Sequence, residues 1–184
     1  MRTTRSKTSL KLAWMLLAGA WAATLTQGGR VTEFFRDPLR RRDFMRFGFQ
    51  QGACEGQQCW EALVTLVALR LWAPALQAQR FAIRVKGDSV VTLVLAGKLK
   101  AKGSGTNRIA RDMALDTGAQ LYVPRLLEHT PGVANHVPDV LSRLTEPGGP
   151  RELPAACRGA VERRVPPRTA HYYLADHARS RKRD

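Results

Sequence analysis

Acidic residues are scarce in this chain and wholly absent from its first 32 positions, the earliest being Glu33. Fifteen acidic residues stand against 30 lysines and arginines in 184 residues, a net charge of +15. That balance disfavours polycationic partners and points to a polyanion, nucleic acid first and an anionic membrane surface second. Abundant Arg, Ala, Gly and Pro also reflect base composition, which accounts for part of the charge. Cysteine is equally sparse: Cys54 and Cys59 are near neighbours and Cys157 is remote. An odd number so placed is no disulfide framework, and His129, His136, His171 and His177 do not complete a four-ligand zinc site around Cys54. The three cysteines therefore read as packing or surface residues. No apolar run reaches the roughly 20 residues that span a bilayer.

The longest apolar stretch, "LKLAWMLLAGAWAATLTQGGR" over residues 10–30, admits two readings. Arg2, Arg5, Lys7 and Lys11 followed by an uncharged core from Leu12 to Leu25 and Ala20-Trp21-Ala22 satisfy the composition of a secretory signal peptide. The same residues also read as a buried β-strand that turns through "TQGG" into a second strand, "RVTEFF". The first reading exports the protein, and the second keeps it inside the cell, in nucleus or cytoplasm.

Downstream, "RRRDFMRFGFQQGACEGQQ" has no steady period and reads as a surface connection. "CWEALVTLVALRLWAP" is a helix with Trp60, Leu63, Val64, Val67 and Leu71 at helical spacing and Pro74 as its stop. It is apolar almost all round, which predicts packing on more than one side. "RFAIRVKGD" alternates as a strand, and "SVVTLVLAGKL" is a helix capped by Ser89. "NRIARDMALDTGA" is a helix with Ile109, Met113 and Asp116 on one side and Gly118 as its stop. "QLYVPRLLEH" is a strand bent at Pro124, hence an edge strand, and "HVPDVLSRL" is a short helix. This order predicts an α/β domain with a mixed sheet, an antiparallel hairpin followed by parallel strands, flanked by helices. Residues 1–11 form a basic extension, 12–145 the domain, and 146–184 a proline- and arginine-rich, loosely ordered tail with at most a short helix near Ala155–Arg163.

Three carboxylates stand where chemistry could use them: Glu61 in the first turn of the apolar helix, Asp88 at a strand end, and Asp139 in the first turn of the last helix. Converging carboxylates bind Mg²⁺ or Mn²⁺, and two such ions support phosphodiester hydrolysis. Singly, each also suits a helix N-terminus or a turn, with no further role.

The combination resembles a known family. "HTPGVANHVPDVLSRL" is similar to the last motif of the ribonuclease H-like domain that follows reverse transcriptase in retrotransposons, H-x-P-G-x-x-N-x-x-A-D-x-L-S-R. His129, Pro131, Gly132, Asn135, Asp139, Leu141, Ser142 and Arg143 match it, and Pro138 replaces the usual alanine. "WEALVTLVALRLWAP" looks like the helix carrying the family's glutamate. "VKGDSVVTL" resembles its strand-end aspartate, and "TNRIARDMAL" its following helix. The resemblance spans roughly residues 22–145.

It implies a ribonuclease H-like fold and an ancestral two-metal hydrolysis of RNA in RNA–DNA hybrids, with a reverse transcriptase domain as a possible partner and a monomeric state. By position, Glu61, Asp88 and Asp139 become the second, third and fourth metal ligands, and His129 takes the mobile-loop place tied to product release. Arg40, Arg41, Arg42, Lys98, Lys100, Lys102 and Arg108 are the expected nucleic-acid contacts. The family's first aspartate falls at about Met15, counting from Leu25, or near Leu17, aligning on Trp21, and neither is acidic. The expectation is therefore an impaired nuclease. The alternatives are a non-catalytic nucleic-acid-binding module of the same fold and a secreted basic protein.

Overall fold

The computed structural model describes residues 9–15, 20–50, 53, 56–78, 83–87, 89–122, 124–131, 135–144, 146 and 148–175. An antiparallel meander opens the chain: β1 (Ser9–Met15), β2 (Ala20–Gln27) and β3 (Arg30–Pro38). Gln27 pairs with Arg30, leaving a two-residue loop of Gly28 and Gly29 with φ of +58° and +82°. Both positions need the left-handed region, which only glycine enters without a Cβ clash, and this turn matches the natural strand twist. The expected hairpin is therefore present, but its strands are the second and third. β1 starts inside the stretch expected as a basic extension and takes the central place expected for "AWAATL".

Strand β4 (Ile83–Gly87) runs parallel to β1, and β5 (Pro124–His129) runs parallel to β4. The full order is β5-β4-β1-β2-β3-β6, where β6 is Val161–Glu162. This is the mixed sheet expected, with Pro124 as the first residue of an edge strand, a position that tolerates proline.

Alternation along β2 separates two cores. Trp21, Ala23 and Leu25 join Phe35 and helix α2 (Gln57–Leu71) in the main cluster. Ala22 joins Phe34, Cys157 and Leu141 of α6 (His136–Arg143) in a smaller one. Helix α2 is buried without a break from Cys59 to Leu69. It packs on β1 and β2 and also on α4 (Val90–Lys98) and α5 (Ser104–Gly118), as its all-round apolarity requires. Pro74 does not end the helical path: α2 stops at Leu71, and α3 (Ala73–Ala78) begins with Pro74 in its first turn, where proline lacks no bond. Ser89 caps α4 by accepting the Thr92 N–H at 3.2 Å. Ile109, Met113 and Asp116 form the buried side of α5.

Two segments depart from expectation. The arginine-rich connection contains helix α1 (Arg41–Phe47). Asp43 accepts the Arg40 N–H at 2.9 Å, and Gly48 closes the helix at φ +74°. Phe44 and Phe47, three residues apart, both meet the Trp60 ring edge-on at 5.1 and 5.8 Å. This helix forms because two aromatics share a face under a cover of arginine.

The stretch after Glu146, expected to be loosely ordered, is packed along the sheet as far as Ala175. β6 pairs with Glu33 and Phe34 of β3, and Arg36 bridges to Glu162 at 2.9 Å. The Arg168 guanidinium, 3% exposed, donates to Asp43 at 2.7 and 3.0 Å, to Asp37 at 2.6 Å and to the Pro38 carbonyl, and lies 4.6 Å above the Trp21 ring. Burial opposes its charge, but the bonds to Asp43 and Asp37 outweigh that and raise its pKa. Further on, Asp112 accepts the backbone N–H groups of Leu174 and Ala175 as well as Arg70 at 2.9 Å. Charge pairing and backbone bonds therefore hold this segment where apolar content is low. Among the described residues, no helix is long and apolar enough to cross a membrane.

Candidate nucleic-acid interface

Strand β4 has β1 on one side and β5 on the other, and helix α6 packs on β1 and β2. β1 lies beside β4 in the register Ser9–Arg84, Leu10–Val85, Lys11–Lys86. The β1 sequence, SLKLAWM, has no acidic residue at any register position. At the β4 end the Thr130 N–H donates to the Gly87 carbonyl at 2.8 Å, and His129 pairs across from Gly87 and is exposed. Lys86 and Glu128, opposite each other in the ladder, form an ion pair at 2.5 Å. Asp88 lies outside the described residues.

Glu61 sits in the second turn of α2 rather than the first, at 4% exposure. It is too far along the helix for the N-terminal dipole to explain a buried carboxylate. Instead its carboxylate accepts the Thr92 hydroxyl of α4 at 2.9 Å, which compensates part of its desolvation. Asp139 does occupy the first turn of α6 but is paired with Arg143, one turn on, at 3.5 Å. α2 and α6 serve the opposite cores of the sheet. Among the described residues, no three His, Cys, Asp or Glu side chains gather as a metal site. Among the described residues the four-carboxylate set is not assembled: β1 brings none, Glu61 accepts from Thr92, and Asp139 pairs with Arg143.

The expected basic contacts fall on or beside helices α1, α4 and α5. α4 and α5 pack with α2 and with each other, and α1 meets α2 through Trp60, all against the main core. Arg41 and Arg42 are exposed in the first turn of α1. Lys98, Lys100 and Lys102 are exposed at the end of α4 and in the turn leading to α5. Arg108, also exposed, donates to the Arg46 carbonyl at 2.8 Å and ties α5 to α1. Arg40 differs, because its guanidinium is engaged by Asp37 at 3.1 Å.

Sequence reasoning overlooked a concavity on the α6 side of the sheet. Thr24, Thr26 and Gly29, with Arg30, Val31, Asn135, Val137 and Pro138, and Ala155, Ala156 and Arg158, enclose about 450 Å³. The signal was available in "AATLTQ", where the two threonines alternate with apolar residues and so share a face. The cysteines are as expected where described: Cys59 and Cys157 are buried, and burial pushes the Cys59 thiol up to about 12. Cys54 lies outside the described residues. Comparisons with protein-family models, with curated proteins and with solved structures give no match to this chain.

Proposed function

We propose that the chain is a ribonuclease H-like domain of retroelement origin that binds RNA–DNA hybrid and has lost the ancestral two-metal hydrolysis. The observation that carries this reading is β1, the central strand beside β4, which is wholly without acid. The sheet supports the fold reading, since an antiparallel hairpin joined to parallel strands is the pattern the motifs imply, although here the hairpin is extended by β1 into a three-stranded meander. Asp139 falls on α6, as the resemblance implies for the final helix, whereas Glu61 falls on the second helix of the chain and not the first, because α1 precedes it.

Without the first-strand carboxylate, the remaining ligands cannot hold two ions in a fixed geometry. Phosphate binding has no such requirement. Arg41, Arg42, Lys98, Lys100, Lys102 and Arg108 are exposed on or beside helices that share the main core, and each phosphate neutralised releases counterions. If all of them make contact, log K falls with log salt at a slope of about −5 for a duplex-like ligand. The test is hybrid binding across a salt series. Replacing Lys98, Lys100 and Lys102 together by alanine is expected to flatten the slope by about 2.7. An unchanged slope would overturn the assignment of these residues. Incubation with hybrid and Mg²⁺ or Mn²⁺ is expected to leave the RNA intact, and robust cleavage abolished by Asp88→Asn would show that hydrolysis is retained.

A further inference from the structure

The concavity on the α6 face is independent of these basic residues, because α6 and α2 serve opposite cores of the sheet. Its floor comes from β2, where Thr26 is 6% exposed and its hydroxyl has no hydrogen-bond partner among the described residues. A buried hydroxyl without a partner is a cost that folded chains rarely carry without a use. Its walls are apolar, with Val31 on one strand and Val137 and Pro138 on α6. Arg30 and Arg158, both exposed, supply cationic groups to the same lining, which holds no carboxylate. A volume of about 450 Å³ lies within the range of sites for small organic ligands.

We infer that this cleft binds a single nucleotide unit, its phosphate against Arg30 and Arg158, its base between Val31 and Pro138, and a polar edge on the Thr26 hydroxyl. Each part answers to one feature. Guanidinium groups match phosphate geometry, apolar walls cover a base face, and the hydroxyl gains the partner that the protein does not supply. A free nucleotide and the end of a strand share this chemistry, and the titration below distinguishes them. Arg158 lies outside the residues covered by the ribonuclease H resemblance, so that resemblance alone does not imply the cleft.

Calorimetric titration of the full chain with adenosine monophosphate, a short single-stranded oligonucleotide and inorganic phosphate tests it. Saturable binding of the first two, in competition with each other and much tighter than phosphate, is expected, and the tighter of the two identifies the source. Thr26→Val should weaken nucleotide binding about 2- to 10-fold while the melting temperature of the free protein holds or rises, because valine removes an unpartnered hydroxyl. Arg158→Gln should weaken it about 10-fold. The lysine triple variant should bind nucleotide unchanged, which separates this site from hybrid binding. No binding at about millimolar nucleotide, phosphate binding as tight as nucleotide, or binding unmoved by both Thr26→Val and Arg158→Gln would each overturn the inference.

Discussion

Replacing Arg168 by methionine keeps most of the side-chain stem and removes the charge that neutralises two acids. Asp43, 1% exposed in its side chain, would keep the Arg40 N–H at 2.9 Å but lose its counter-ion. Asp37 is better placed, because Arg40 remains 3.1 Å away. Breaking a buried ion pair from one side costs about 3–5 kcal/mol, chiefly the penalty of the charge left behind. For a domain of this size each kcal/mol moves the melting temperature by about 2–4 °C, so Arg168→Met should melt about 6–20 °C lower. Adding Asp43→Asn to that variant should recover part of the loss, since a neutral amide is less costly to bury unpaired. Calorimetry on wild type, the two single variants and the double variant closes the cycle. A single Arg168→Met within about 1 kcal/mol of wild type, or a double variant no better than the single, would refute the view that this ion cluster fastens the C-terminal segment.

Other outcomes follow from the same contacts. Arg163 holds Glu33 below its ordinary value of 4.5 through paired bonds at 2.8 Å, with Trp72 adding a third. A lowered carboxylate pKa stabilises the fold above 4.5 and ceases to as pH falls through the folded value. The melting-temperature gap between wild type and Glu33→Gln should therefore be open at neutral pH and close in acid. With the Cys59 thiol pushed up to about 12 and Cys157 also raised by burial, a Cys54→Ser variant should resist thiol reagents when native and label twice in denaturant. A chain ending after Arg151 lacks β6, Arg168 and Tyr173. It should bind a hydrophobic dye and lose cooperative melting.

Where local chemistry decides the structure, the chain is readable from its residues. The apolar run of α2, the Ser89 cap, the glycine pair between β2 and β3, and the spacing of Ile109, Met113 and Asp116 all fall where the side chains require. What could not be read depends on distant partners. Phe44 and Phe47 are a helical pair whose face shows only once Trp60 is opposite. β1 is hard to separate from β2 because the uncharged stretch from Leu12 to Leu25 is punctuated only by Gly19 and Thr24. Arg168 sits among prolines and arginines that advertise disorder, and its reason for order lies 125 residues upstream. The same holds for the site: Glu61 and Asp139 were placed on the right helices, but their engagement by Thr92 and Arg143 depends on packing and side-chain geometry.

That 125-residue separation also sets a clock for the growing polypeptide. Ribosomes add about 5–20 residues each second, so Asp43 leaves the peptidyl-transfer centre about 6–25 s before Arg168 is made. During that interval the β3–α1 corner carries its carboxylates without the guanidinium that later covers them, and it must stay hydrated or borrow a cation from elsewhere. Stalling translation before codon 168 would leave the meander and helices synthesised but unlatched, a state that pulsed proteolysis of ribosome-bound chains could catch.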